Sequence, residues 1–323
     1  MMADIAKPVI VASKCLEFEP CRYNGQVISL KLIKRLEPHV TFIPVCPEVE
    51  IGLGVPRNPI RLVISDGRTR LIQPATGVHI TEEMEGFAER FLDSLPEVDA
   101  FILKSRSPSC GNKDVKIYPG TGKVAATAKG SGLFGGAVSS RYQQLSIEDE
   151  GRLNNFTIRE RFLTKIFALA RFRETKAAQS AKALVHYHTV NKLMLMSHNE
   201  REMRAMGKIV ANHEHRPLAE VVGDYENHLK QALSKTAKKT SNINVIFHAF
   251  GHFSKELTSA EKAFFLDNLE QYRAGKTPLS SVLSVIGSWI VRFEDEYLGD
   301  QTFFAPYPKD LIEISDSGKA RSY

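Results

Sequence analysis

The chain has 323 residues, of which 43% are hydrophobic and 25% are charged. This composition is typical of globular proteins and excludes collagen-like, low-complexity and largely disordered chains. No apolar run approaches the roughly 18 residues that a membrane span needs, and no secretory signal is visible, so we expect a cytoplasmic protein with no membrane partner. Its four cysteines are too few for a disulfide scaffold, and in the cytoplasm they should stay reduced.

Short apolar runs alternate with helix-like stretches and Gly/Pro turns in the first half of the chain. The runs are rich in β-branched residues and too short for helices, so they predict buried strands. They cover residues 8–13, 40–45, 60–65 and 98–104. Helices are predicted at 26–36 and at 81–95, the second with Thr81 as its N-cap. This alternation predicts an α/β domain with a mainly parallel sheet.

Helical patterns dominate from residue 156 onward and predict an all-α second domain. The predicted helices are residues 156–174, 177–195, 199–211, 218–233, 259–274 and 278–297. We therefore predict two domains, at 1–160 and 161–323. Charge differs between them, because residues 161–240 hold 15 basic and 7 acidic side chains, net +8, whereas residues 1–160 carry net +1. A basic segment of this kind permits contact with RNA, and a solvated basic face that packs against the first domain is the alternative.

Three of the four cysteines follow predicted strands. Cys15, Cys46 and Cys110 come shortly after the runs at 8–13, 40–45 and 98–104. Because the carboxyl ends of parallel strands line one crevice, these residues can converge on a shared metal site. Ordinary burial of a free cysteine is the alternative. Thiolates bind zinc as well as iron–sulfur clusters, and the spacing alone does not decide between them.

Three loops of the first half resemble the signature loops of the TudS-type thiouracil desulfidase family. They are residues 15–25, 44–57 and 103–111, the last of which contains the sequence Ser107-Pro108-Ser109-Cys110-Gly111. Two further stretches, 130–137 and 148–154, are also similar to that family. The resemblance covers about residues 1–160, and the similar stretches follow one another in the same order as in that family.

The second half resembles the YbgA-like helical domain. The similar stretches are residues 186–204, 251–262, 272–279 and 297–308. A TudS-like domain followed by a YbgA-like domain resembles the RudS-type desulfidases, which act on 4-thiouridine in tRNA. The resemblance therefore implies a desulfidase whose substrate is tRNA containing 4-thiouridine, or a free thiobase or thionucleoside.

The resemblance also implies a cofactor and a set of site residues. A [4Fe–4S] cluster would be held by Cys15, Cys46 and Cys110, which leaves one iron open to the substrate sulfur. Glu48 and Ser107 occupy catalytic positions of the family, and Glu48 is a plausible base for the attacking water. Cys21 is close enough in sequence to be a fourth ligand, but the family pattern favours three, so Cys21 is predicted to be structural. The implied reaction is hydrolytic and releases sulfide.

Two other functions remain open from the sequence. One is a sulfur transferase that inserts sulfur into RNA, and the other is a zinc-stabilised RNA-binding protein without catalysis. We expect no ATP binding, because Gly120-Thr121-Gly122-Lys123 is followed by Val124 and does not match a phosphate-binding loop. The oligomeric state and the Lys and Arg residues that contact RNA stay undetermined at this point.

Overall fold

A computed structural model describes residues 6–65 and 67–313. It divides into two compact units. One unit contains the described residues up to Ala170 and from Asp310 onward, and the other is Arg171–Lys309. The boundary between the predicted domains at residue 160 stays a prediction. No helix in the described part of the chain is both long and apolar enough to cross a membrane.

A four-stranded parallel sheet forms the centre of the first unit. The described residues of this unit form the strands β1 (Val9–Ser13), β2 (Thr41–Val45), β3 (Arg61–Ser65), β4 (Arg68–Gln73), β5 (Val78–His79), β6 (Ala100–Leu103), β7 (Val115–Tyr118), β8 (Ala128–Gly130) and β9 (Ser146–Asp149). The sheet has the order β2-β1-β6-β9, and each pair in it is parallel. β6 is buried along its whole length, as expected of a central parallel strand covered on both faces. The predicted α/β class is confirmed.

The first unit also contains a second sheet, with the order β5-β4-β3-β7-β8, which the sequence did not predict. Its pairs are antiparallel except for β3 with β7. β3 corresponds to the predicted strand at 60–65 but does not join β1, β2 and β6. The physical reason is that β3 pairs with β4, which begins at Arg68, shortly after β3 ends at Ser65. Parallel neighbours need a long crossover, so strands this close along the chain pair antiparallel.

Short and medium helices connect the strands of the first unit. They are α1 (Lys31–Leu36), α2 (Pro47–Glu50), α3 (Thr81–Ser94) and α4 (Leu133–Arg141). α1 is shorter than the predicted helix at 26–36. The prediction that Thr81 caps α3 is wrong, because Ile80 occupies the N-cap and Thr81 Oγ1 instead accepts the Leu71 N–H at 2.9 Å. α3 and α4 pack on the sheet in one apolar core that includes Val11, Val45 and Phe101.

Helices make up the second unit, as the sequence predicts. α5 (Phe156–Ala177) contains the boundary between the units, and it is followed by α6 (Ala181–Ala211), α7 (Leu218–Ser234), α8 (Lys239–Phe253), α9 (Ser259–Arg273), α10 (Leu279–Arg292) and α11 (Glu296–Gly299). The predicted helices at 177–195 and 199–211 are one element with a kink at Asn199, whose φ is −160°. α8 is absent from the predicted set, because its polar N-terminal half and Gly251 give a weak helical pattern. Burial of Ile243, Ile246 and Phe253 stabilises it instead.

Candidate active site

Three cysteines lie at one edge of the parallel sheet. Cys15 follows β1 by two residues, Cys46 directly follows β2, and Cys110 lies in the loop after β6. β1 pairs in parallel with β2 on one side and with β6 on the other, so the carboxyl ends of the three strands are adjacent. All three cysteines line a cavity of about 310 Å³. The structure thus brings together the residues that the strand ends predict.

Cys21 is the fourth cysteine of this cavity. Its thiol interacts with those of Cys15 and Cys46, and its carbonyl oxygen accepts a hydrogen bond from Arg57 Nη1 at 3.0 Å. Interaction with the Cys15 thiol raises the pKa of Cys21 to about 11, while the Cys46 thiol acts in the opposite direction. Cys21 therefore lies among the predicted ligands rather than apart from them.

Burial and the contacts between the thiols raise the pKa values of the buried cysteines in the cavity. Hydrogen bonding with Cys21, together with burial, raises the pKa of Cys46 above its ordinary value. Burial raises the pKa of Cys110 to about 12, although the Ser13 hydroxyl partly opposes this effect. A cation that binds these groups as thiolates must displace their protons, so its uptake is favoured as the pH rises.

The donor set of the cavity fits an iron–sulfur cluster. All four cysteines are free thiols, and Cys21, Cys46 and Cys110 are buried. Among the described residues, no three or more His, Cys, Asp or Glu side chains are grouped as the ligands of a single metal ion. In a [4Fe–4S] cluster each thiolate binds a different iron, so the sulfur atoms need not converge on one point.

Glu48 lies on α2, two residues after Cys46, and its carboxylate is held from two sides. Arg57 donates to Glu48 Oε2 from Nε at 2.8 Å and from Nη2 at 2.5 Å. The Ser109 hydroxyl donates to Glu48 Oε1 at 2.6 Å. The Arg57 and Glu48 side chains are only 4% and 13% exposed. Glu48 is thus fixed in an orientation that lines the cavity.

The hydrogen bonds of Glu48 leave one acceptor position open. A carboxylate offers about four lone-pair sites on its two oxygens. The two Arg57 donors occupy those of Oε2, and the Ser109 hydroxyl occupies one of Oε1. The remaining site on Oε1 has no protein donor among these hydrogen bonds and can accept one from a water molecule, as a general base must.

Ser107 lies at the start of the loop that carries Cys110. Its Oγ accepts the backbone N–H of Cys110 at 3.1 Å and that of Ser109 at 3.3 Å. It also lies 2.9 Å from Ser109 Oγ. Ser107 lines the cavity together with Glu48, and Ser109 connects the two side chains.

Arg57 and Ser109 are the site residues that the sequence-based assignment lacks. Both lie inside the loops that carry the family resemblance, which is the one signal that could have identified them. Arg57 is 9 residues and Ser109 is 61 residues from Glu48 along the chain, and both donate hydrogen bonds to its carboxylate. Contacts of this kind depend on how the loops fold, and spacing does not reveal them.

The glycine-rich start of α4 packs directly against the loop of Cys110. Gly132 N–H donates to Gly111 O at 2.7 Å, and Gly135 N–H donates to Ser109 O at 2.9 Å. A Cβ atom on Gly135 would lie 2.5 Å from the carbonyl oxygens of Cys110 and Gly111. The stretch at 130–137 therefore lacks side chains where the two backbones approach closely.

Gly135→Ala is expected to displace the Cys110 loop, because the added methyl group has no room between the two backbones. Overpacking of this type costs about 1–3 kcal/mol, so the urea unfolding midpoint and the iron bound after reconstitution should both fall. Gly136→Ala is the matched control, since its Cβ would meet only Ser131 Cβ at 3.5 Å. Equal midpoints and equal iron contents of the two variants would contradict this explanation of the glycine.

Basic side chains surround the cavity. In addition to Arg57, the basic lining residues are Lys14, Arg22, Lys104 and Arg106. The Arg22 guanidinium lies 5.6 Å from the centre of the Tyr23 ring, and Lys104 forms an ion pair with Glu150. Ion pairs of Lys14 with Glu19, of Arg57 with Glu48 and of Lys104 with Glu150 offset part of this positive charge. The charge that remains favours an anionic or electron-rich ligand.

Comparisons with known proteins agree with the division into two parts. Residues 10–150 match the profile of the 2-thiouracil desulfurase family, and residues 192–308 match that of a protein family of unknown function, DUF1722. A solved structure described as the [4Fe-4S]-dependent thiouracil desulfidase TudS is 28% identical and superposes with a TM-score of 0.37. That comparison covers 46% of this chain and 93% of the other.

Two relatives each correspond to one part of the chain. The uncharacterized protein YbbK of Bacillus subtilis (strain 168) is 34% identical over 139 residues, which are 38% of this chain and 91% of the relative. The uncharacterized protein YbgA of Escherichia coli (strain K12) is 29% identical over 158 residues, which are 48% of this chain and 93% of the relative. The predicted resemblance is confirmed: the chain belongs to the 2-thiouracil desulfurase family through residues 10–150 and carries a DUF1722, YbgA-like domain at residues 192–308.

Proposed function

We propose that the protein is an iron–sulfur-dependent desulfidase that removes sulfur hydrolytically from 4-thiouridine in tRNA, or from related thiouracil bases, and releases sulfide. Membership of the 2-thiouracil desulfurase family supports desulfidase activity on thiouracil bases. The observation that carries the proposal is the cavity in which three strand-end cysteines lie beside the carboxylate of Glu48.

Cys15, Cys46 and Cys110 would hold a [4Fe–4S] cluster in this cavity. When bound, such a cluster with one iron free of protein ligands supplies a Lewis acid with affinity for soft sulfur, which polarises a thiocarbonyl group. The soft donor set of the cavity fits this assignment. Cys21 stays a structural residue in the proposal: its thiol contacts those of Cys15 and Cys46 but does not bind the cluster.

Glu48 would act as the general base of the reaction. Its open acceptor site on Oε1 can receive the hydrogen of a water molecule, and Arg57 keeps the carboxylate turned toward the cavity. Proton transfer to Glu48 turns that water into the nucleophile that attacks C4 of the thiobase. Ser107, which lines the same cavity, would form a hydrogen bond with the edge of the base or with the charge that develops on it.

RNA binding would involve the basic rim of the cavity and the basic segment at 161–240. In the second unit, Lys182 and Lys192 are exposed on α6, and their spacing of ten residues places them about 80° apart around the helix axis, on one side of the helix. Cationic side chains of this kind contact phosphates and position an RNA without reading its bases. The thiobase would leave its stack to enter the cavity.

One assay tests the proposed function. Sulfide release from 4-thiouracil, 4-thiouridine and thiolated tRNA is measured side by side with protein reconstituted with iron and sulfide under anaerobic conditions. Release without ATP from at least one substrate, and iron with acid-labile sulfide in the protein, are the expected results. Bound zinc without turnover would favour the RNA-binding alternative, whereas a need for ATP and gain of sulfur by RNA would favour the transferase.

A Lys182→Glu/Lys192→Glu variant of the full chain is expected to bind tRNA more weakly than the wild type. The logarithm of the binding constant falls linearly with the logarithm of the salt concentration, and each phosphate contact makes that fall steeper. Removing two contacts should therefore make the slope shallower by roughly 1 to 2. Turnover of free 4-thiouracil should not change. The control is Lys255→Glu/Lys276→Glu, which makes the same charge change at exposed positions outside the basic segment. Identical salt slopes for both variants would mean that this face of α6 does not contact RNA.

A further inference from the structure

One face of the second sheet carries basic side chains from four strands. Residues that pair in register lie on the same face of a sheet, and every second residue of a strand shares that face. Val63 pairs with Arg70 on one side and with Tyr118 on the other. Lys116, two residues before Tyr118, pairs with Lys129. We call this surface the basic sheet face, and its cationic side chains are Arg61, Arg68, Arg70, Lys116 and Lys129.

The opposite face of these strands is buried in the first unit. Leu62 and Val115 lie on that face and belong to the apolar core. The basic sheet face is therefore directed outward, and Arg68, Lys116 and Lys129 are exposed on it. A sheet with one face in the core and the other toward solvent is typical of antiparallel pairing.

Positive charge is concentrated on this sheet rather than spread over the first half of the chain. Residues 61–73 and 115–130 together hold six basic and one acidic side chain, net +5. The remainder of residues 1–160 holds 14 basic and 18 acidic side chains, net −4. The basic sheet face is therefore a local cationic surface on an otherwise acidic half of the chain.

Ion pairs compensate only part of the charge of the basic sheet face. Arg70 and Lys129 each pair with a carboxylate that is more than two-thirds exposed, so these pairs are weak in water. Arg68 and Lys116 form no ion pair with any residue that the structure describes. Lys116 also lies directly opposite Lys129, and like charges at such positions destabilise a sheet. A bound polyanion would remove this repulsion.

Arg61 and Tyr118 form a cationic and aromatic pair on the same face. The Arg61 guanidinium lies 4.8 Å from the centre of the Tyr118 ring, and its Nη1 donates to Gly122 O at 3.3 Å. Both side chains are partly exposed. Nucleic-acid bases stack on aromatic rings and on guanidinium planes, whereas phosphates contact cations. The pair therefore favours RNA over an acidic protein segment or a lipid surface as the occupant of the basic sheet face.

The basic sheet face begins at the edge of the cavity. Pro59 and Ile60 line the cavity, and Arg61 is the next residue and the first of β3. From Arg61 to Ser65 the strand extends about 13 Å, at roughly 3.3 Å per residue. An RNA strand with one base in the cavity therefore has this face within reach of its neighbouring phosphates.

We propose that the basic sheet face binds the phosphate backbone of the RNA whose thiolated base enters the cavity. This inference rests on the proposed function, which supplies the RNA. Arg68 and Lys116 contact phosphates, and such contacts fix the register of an RNA without reading its bases. A free thiobase has no phosphates and makes none of these contacts, so the basic sheet face distinguishes an RNA substrate from a free base.

The test measures binding of unmodified tRNA by the full-length protein over a range of salt concentrations. Arg68→Glu/Lys116→Glu should bind more weakly, and the slope of the logarithm of the binding constant against that of the salt concentration should become shallower by roughly 2. Arg68→Gln/Lys116→Gln, which adds no negative charge, should change the slope in the same direction. Arg68→Lys/Lys116→Arg keeps both charges and should retain the wild-type slope.

Lys31→Glu/Arg90→Glu is the matched control, because it makes the same charge change at exposed positions of α1 and α3, outside the second sheet. It should bind tRNA with the wild-type slope. Equal slopes for the two charge-reversed variants, or a shallower slope for the charge-conserving variant, would overturn the inference. Binding of anionic lipid vesicles or of polyglutamate that depends on Arg68 and Lys116, while tRNA binding does not, would overturn it as well.

Sulfide release from thiolated tRNA, measured on the same reconstituted samples, separates this inference from the proposed function. If the substitutions on the basic sheet face weaken tRNA binding but the wild type releases no sulfide from any substrate, the proposed function fails and the RNA-binding surface stands. If the wild type releases sulfide from tRNA and these substitutions leave the salt slope unchanged, the inference fails and the proposed function stands.

Discussion

Replacing Cys15, Cys46 or Cys110 singly by serine is expected to abolish both the visible iron–sulfur absorbance and sulfide release. Each residue would supply one thiolate from its own strand end, and a serine hydroxyl is a hard ligand that does not replace a soft thiolate. Iron, acid-labile sulfide and turnover of 4-thiouracil after anaerobic reconstitution measure the effect. Retention of a full cluster in any of the three variants would contradict the proposed ligand set.

Cys21→Ser is the matched control for these variants, since Cys21 lies in the same cavity and its thiol interacts with those of Cys15 and Cys46. It should keep most of the cluster and most of the activity. If Cys21→Ser instead loses both, all four cysteines hold the cluster, no iron is open to the substrate, and the proposed mechanism is wrong.

Glu48→Gln is expected to lower kcat about 10²-fold or more while the cluster survives. The substitution removes the base but keeps the size of the side chain and an oxygen that can accept from Arg57 or Ser109. Turnover of 4-thiouracil and the visible spectrum of the reconstituted protein are the two measurements.

Glu50→Gln serves as the control for Glu48→Gln, because Glu50 is an exposed carboxylate on the same short helix, α2. Its rate should equal that of the wild type. A wild-type rate for Glu48→Gln would mean that the carboxylate takes no part in the reaction and that water is activated by another group.

The convergence of the cysteines could be predicted from the sequence because it depends on one simple property of parallel sheets. Parallel strands end at the same edge of a sheet. Residues just past β1, β2 and β6 therefore lie close together at that edge, regardless of the chain segments that connect these strands. The prediction needed only the strand ends, and apolar runs bounded by turns mark those clearly.

Other features were out of reach because they depend on three-dimensional packing. β3 belongs to the second sheet because it pairs with β4 and β7, and the apolar pattern of β3 does not indicate which strands it pairs with. α8 is stabilised by burial rather than by strong helix formers. The hydrogen bonds of Glu48 to Arg57 and Ser109 require two loops to fold against α2 in one particular way.

The placement of the proposed ligands on three separate strand ends has a consequence for the order of assembly. Cys15, Cys46 and Cys110 are 31 and 64 residues apart, so they meet only after the sheet has formed. Small zinc domains fold when their metal binds, but this sheet has an apolar core of its own that includes Val11 and Phe101. We therefore expect folding to come first and loading of the proposed cluster second, so that a protein without the cluster would keep a formed site that can be filled again.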